Sequence, residues 1–171
     1  MKSSCARGSA AAGVAAVLLA LSVRARSDAA SDAKKWIQAA YNRENAAAIR
    51  RDVDGVLADT APDYVSVSPR GGSTPLRLIK PRLRPLLEAM RVKRATTRVT
   101  KVVLKGPEAH VATTEHVVAV LANPETQRPA NLVIDSTTES VWVRGGKGWL
   151  KKRSRSHDVR RSMDGKPLPP R

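Results

Sequence analysis

A chain of 171 residues with one cysteine and no phenylalanine holds about one domain's worth of sequence, and excludes an internal disulfide framework or a multi-cysteine zinc site. Its 31 basic residues stand against 15 acidic ones, a net charge of +16, so its field favours anionic partners. With three Trp and two Tyr there are few rings for the base stacking that single-stranded nucleic-acid channels use, and nucleic acid is not an expected partner.

The first 27 residues read as a secretory signal peptide. Lys2 and Arg7 give a positive start, an uncharged apolar run follows from Ala10 to Val23, and small residues come next. Ala25, Ser27 and Ala30 each suit the last position of the signal. The apolar run falls short of the roughly 20 residues that cross a bilayer, which weighs against an uncleaved anchor. No transmembrane segment is expected in the mature chain, and the localisation implied is secreted or periplasmic. Cys5 leaves with the signal, so no thiol remains. The division expected is a signal over 1–27, a domain over 28–160 and a flexible basic tail over 161–171. Basic residues crowd into 70–105 and 144–171, while 28–63 and 106–143 are mildly acidic. Solvated arginine would look the same, so the blocks alone do not define a binding face.

Ser31 suits the cap of a helix whose apolar stripe is Ala33, Ile37, Ala40, Tyr41 and Ala48, with Trp36 beside it. A short helix over Val53 to Asp59 ends before Pro62, which cannot continue a helix. Tyr64 to Val67 then alternates as a strand, closed by a turn at 68–72. Leu76, Ile79, Leu83, Leu86 and Met90 repeat at helical spacing, but Pro81 and Pro85 lie among them and predict a break. From Arg94 onward four β-rich segments, 95–105, 108–121, 130–143 and 149–159, are separated by short turns and predict an antiparallel meander.

Several stretches carry a resemblance. They are Ala39-Ala40-Tyr41-Asn42-Arg43, Asp52-Val53-Asp54 with Leu57-Ala58, and Ala61-Pro62-Asp63-Tyr64-Val65. Glu139-Ser140-Val141-Trp142-Val143 follows, then Gly148 to Ser156 with Asp164-Gly165-Lys166-Pro167. In this order the chain resembles the nuclear transport factor 2-like superfamily, with its SnoaL-like and ketosteroid-isomerase-like branches, over about residues 31–167. The resemblance implies an α+β, cone-shaped roll of cystatin-like topology, with N-terminal helices packed on a curved antiparallel sheet and a pocket between them. It implies pairing into a homodimer through the sheet, and no single activity, because one fold hosts many functions. The prolines at 81 and 85 depart from the usual helix of the pocket rim.

Asp63 and His116 are the candidate catalytic residues. A desolvated Asp63 could serve as a base, or it could cap the turn after Pro62. His116 or His157 could pair with Glu115, Asp135 or Glu139 as an acid–base set. The candidate ligand-binding residues are Tyr41, Tyr64, Trp142, Arg153 and Arg155. Trp149, Lys151, Arg153, Arg155 and His157 share one face by alternation, which places the two arginines either on the pocket floor or on an exposed basic sheet. Tyr41 lies on the apolar stripe and also suits the core. No metal site or cofactor motif is present. The leading expectation is an exported domain that binds a small polar or anionic organic ligand. The alternatives are a non-catalytic partner- or polyanion-binding module, and an isomerase- or dehydratase-like enzyme using an Asp or His base.

Overall fold

The computed structural model describes residues 11–123 and 126–169, with side chains from Asp28 onward. Lys2, Arg7 and Cys5, which bear on the signal peptide, lie outside the described residues, as do Arg171 and its neighbour at the end of the tail. Helix α1 (Ala11–Arg50) is followed by α2 (Val53–Leu57), β1 (Thr60–Val67), β2 (Ser73–Pro75) and α3 (Leu76–Ala89). Strands β3 (Arg91–Lys105), β4 (Glu108–Ala122), β5 (Pro129–Gly145), β6 (Gly148–Met163) and β7 (Lys166–Pro167) complete the chain. The sheet runs β2-β1-β6-β5-β4-β3, with β7 on the end of β6. Among the described residues no helix is long and apolar enough to cross a membrane.

The meander β3 to β6 is antiparallel throughout, as the turns require. The sheet as a whole is mixed, because β1 returns from the helices to lie parallel to β6. Four bulge-like shifts lie in the outer meander strands. Each places one extra residue in β3 or β6: Lys93, Thr100, Lys152, and one of the pair before Arg160. Such insertions bend a strand and strengthen its twist, which curls the sheet around α1.

The core is the seam between α1 and the sheet. Ala33, Ile37, Ala40 and Tyr41 pack on Val99, Ala109, Val111, Trp142 and Trp149. Trp142 is fully buried and meets the edges of Trp36 at 6.4 Å and Tyr41 at 5.3 Å between ring centroids, a geometry that suits the ring quadrupoles. Gln38 fastens the helix to β3 beside the Thr100 bulge. Its amide donates to the Thr97 carbonyl at 2.7 Å and accepts from the Val99 N–H at 2.8 Å. Two backbone groups on the inner margin are thereby satisfied.

Several sequence expectations shift. Ser31 lies inside α1, since the alanine-rich stretch before it has high helix propensity. The short second helix ends at Leu57, capped by Asp52, whose side chain accepts from the Gly55 N–H at 2.9 Å. The first strand starts at Thr60 and carries Pro62 within it. Pro62 is tolerated because the ladder to β6 is interrupted between Thr60 and Val65. The expected break in α3 does not occur. Pro81 and Pro85 are exposed and four residues apart, so the carbonyls left without a donor, those of Arg77 and Pro81, lie on the helix's exposed side. Residues 161–163 and 166–167, expected in a tail, are strand residues.

The β5–β6 turn tests this packing. Gly148 has φ +140°, and a Cβ there would come within 2.3 Å of the Trp36 ring. Gly148→Ala should destabilise the protein by about 2 kcal/mol in urea unfolding. Gly146→Ala, where nothing lies within 4 Å, should be nearly neutral.

Candidate functional site

Side chains on β5 with even numbers, from Leu132 to Trp142, face α1, and those on β4 with odd numbers do the same. Strand β6 follows this rule only as far as Lys151. Trp142 pairs with Lys151, but Val141 pairs with Arg153, so Lys152 is the extra residue. A slip of one residue exchanges the faces of everything after it. Trp149 and Lys151 therefore point inward, Arg153 and Arg155 outward, and Ser154 inward.

Lys151 reaches the inner seam with only 10% of its side chain exposed and donates to Glu44 Oε2 at 2.7 Å. Its ammonium also lies 4.9 Å from the Tyr41 ring centroid and 5.6 Å from that of Trp142, within cation–π range. Burial is the largest single influence and opposes the Lys151 charge, but Glu44, Tyr41 and Tyr64 together outweigh it, so the group stays protonated well above the ordinary lysine range. Burial raises the Tyr41 hydroxyl above its usual value, and the nearby Lys151 charge offsets part of that. Tyr41 shares a hydrogen bond of 3.2 Å with Ser140, whose oxygen accepts from the Trp142 indole at 2.9 Å.

On the far side of this pair a cavity of about 410 Å³ opens beneath α2 and α3. Lys151, Glu44 and Tyr64 form its polar end, and Val56, Leu57, Leu78, Ile79, Leu83 and Leu86 its apolar walls. Tyr64 is tied to Ser154 through their hydroxyls. Arg82 lies on the wall, and among the described residues no carboxylate pairs with it, Asp54 being taken by Lys80.

The structure thus brings Tyr64 into the pocket and Tyr41 and Trp142 behind its polar end, both as buried core residues. It does not bring in the other candidates. Asp63 lies in β1 with a carboxylate 66% exposed, 3.6 Å from the Lys152 ammonium. Nothing there desolvates it. His116 is bonded to Asp135 at 2.7 Å, one of the several pairings the sequence left open, but on the outer face. Arg153 and Arg155 are also outside, lining a depression of about 650 Å³ on the opposite side of the sheet. Among the described residues no three His, Cys, Asp or Glu side chains gather as a metal site.

Glu44, Lys151 and Arg82 were missed as site residues. Glu44 had a signal: it follows Tyr41 by three residues and so shares its helix face. Lys151 shares the Trp149 face by alternation and was passed over for the arginines beyond it.

No family model and no curated protein matches the sequence. Solved structures do match. A conserved protein from Planctomyces limnophilus DSM 3776 is 16% identical, with 77% of this chain and 94% of that one covered and a TM-score of 0.59. A nuclear transport factor 2-like superfamily protein from Salmonella enterica serovar Typhimurium is 15% identical, with 74% and 91% covered and a TM-score of 0.57. A ketosteroid isomerase-like protein from Erwinia carotovora atroseptica is 16% identical, with 78% and 95% covered and a TM-score of 0.55. Likeness at this identity defines the fold: the chain adopts the nuclear transport factor 2-like, cystatin-like α+β cone.

Glu44→Gln should cost about 3 kcal/mol in denaturant unfolding, since it leaves a buried ammonium without its counter-charge. Adding Lys151→Met to Glu44→Gln should restore much of that. The Lys151 group is raised in the folded state, so its contribution is complete below about pH 10.4 and fades as pH rises above that value. Wild type should therefore lose more stability than Lys151→Met when titrated through that range.

Proposed function

We propose that the inner cavity of this exported domain binds a small amphipathic organic molecule and holds it without turnover. The observation that carries this reading is a cavity of ligand size, walled largely by apolar side chains, with the Lys151–Glu44 pair and Tyr64 in its lining and one unpaired cation, Arg82, on the wall. The leucines and isoleucine of α2 and α3 suit an aliphatic or alicyclic body. Arg82 suits a carboxylate, which its guanidinium can hold with two parallel hydrogen bonds. The Tyr64 hydroxyl and the Lys151–Glu44 pair suit a hydroxyl or carbonyl at the deep end.

Binding is favoured over isomerase- or dehydratase-like chemistry because neither Asp63 nor His116 reaches the cavity. Glu44 is the one carboxylate among the lining residues, and its charge is held by Lys151 at 2.7 Å. Its Oε2 already accepts the ammonium's hydrogen bond and faces Lys151 rather than an open reaction site. Export rests on the charged start, apolar run and small-residue exit of residues 1–27.

Decanoate and decanol serve as probes in calorimetric titration. Decanoate should bind saturably. Leu83→Trp, which fills the cavity, should abolish binding, and Arg82→Gln should weaken decanoate about tenfold while leaving decanol within twofold. Arg70→Gln, remote from the cavity lining, should change neither. Decanoate binding that survives Leu83→Trp unchanged would place the ligand elsewhere and end this reading.

A further inference from the structure

The depression on the outer face has a charge layout of its own. Lys101 and Lys105 stand on β3 at one rim, and Arg153 and Arg155 on β6 at the other. The register places Lys101, Ala112, Glu139 and Arg155 in one row across the strands, and Val103, His110, Val141 and Arg153 in the next. Three strand spacings separate the rims, about 14 Å. Lysine and arginine side chains extend about half that distance, so cations from both rims converge over the floor. All four are exposed, and among the described residues none forms an ion pair; Glu139, the carboxylate on the floor, faces His157 at 3.5 Å. Glu108, at the end of β4, faces His110 at 3.4 Å.

We infer that this trough binds an acidic polysaccharide, with sulfate or carboxylate groups on the Lys101/Lys105 and Arg153/Arg155 rims and sugar hydroxyls donating to Glu139. Four cations around one carboxylate call for a ligand that offers both anions and hydrogen-bond donors, which a charged glycan does along its length. A phosphate polymer offers the anions alone and would meet Glu139 with like charge. Stacking bases find no Phe, Tyr or Trp among the residues that line the trough, and the His110 ring is engaged with Glu108. An extended acidic peptide gains affinity by adding to a sheet edge, whereas this floor is the middle of the sheet, with β4 and β5 paired on both sides. A second copy laid face to face would set these rims against cations of their own kind.

The site is independent of the inner cavity, so the two are tested separately. Heparin oligosaccharide is titrated into the full chain by calorimetry at low salt, with neutral dextran and polyphosphate as comparisons. Heparin should bind with an affinity that falls steeply as salt rises, polyphosphate more weakly, and dextran not at all. Arg153→Gln/Arg155→Gln should weaken heparin at least tenfold. Arg50→Gln/Arg51→Gln, the same loss of charge at the end of α1 beside another basic cluster, should stay within threefold. Equal losses in the two pairs would show diffuse charge rather than a site and overturn the inference. Polyphosphate binding tighter than heparin would overturn it as well. All four arginines are exposed, so unchanged melting curves verify that each pair is folded.

Discussion

One extra residue in β6 divides this protein into an inside and an outside. Lys152 is the inserted residue, and because side chains alternate along a strand, its presence turns Lys151 toward the helix and Arg153 toward solvent. Without it, alternation would carry Arg153 and Arg155 beneath α1, where one carboxylate, Glu44, already meets one cation. Two further guanidinium groups there would be buried without partners, at a cost far above what a domain's margin of stability tolerates. The bulge keeps a single cation in the seam and sends the others out.

The seam itself couples structure to the proposed binding. Trp142 and Tyr41 form an aromatic wall, and Lys151 sits against that wall with Glu44 as its partner. The same pair closes the deep end of the cavity under α2 and α3. A ligand head therefore meets groups already fixed by the fold, so little ordering remains to be done on binding. The walls above are looser. Leu78 and Leu86 are 41% and 54% exposed, apolar surface that an occupant would cover.

Much of the fold was legible in the sequence. Ala33, Ile37, Ala40 and Tyr41 recur at helical spacing and are the buried stripe. The turns at Gly106-Pro107 and Gly145 to Gly148 bound the meander strands within a few residues. Strand β2 was not seen, for three residues ending in a proline carry no period. The prolines of α3 misled because sequence shows what a proline removes from a helix and not whether the freed carbonyls face water. The site was less legible. Trp149 and Lys151 were rightly grouped on one face, but the count ran on through Lys151-Lys152-Arg153-Ser154-Arg155-Ser156, where every residue is polar and no change of pattern betrays an insertion. Tyr41 is the buried stripe residue with a bonded hydroxyl that its helical spacing suggested, and Trp142, offered as a ligand contact, lies in the core, since aromatic residues suit a core and a pocket wall alike. Arg82 lay in a helix whose existence was in doubt at its prolines.

The sidedness of β6 can be read by chemical footprinting of the native protein, with an amine-reactive ester and an arginine-selective dicarbonyl followed by peptide mass spectrometry. The bulge requires Lys151 to stay unmodified while Lys152, Lys101 and Lys105 react, and Arg153 and Arg155 to react freely. Labelling of Lys151 as fast as Lys152, with Arg153 and Arg155 protected, is incompatible with it and would reverse the inner and outer faces of the strand.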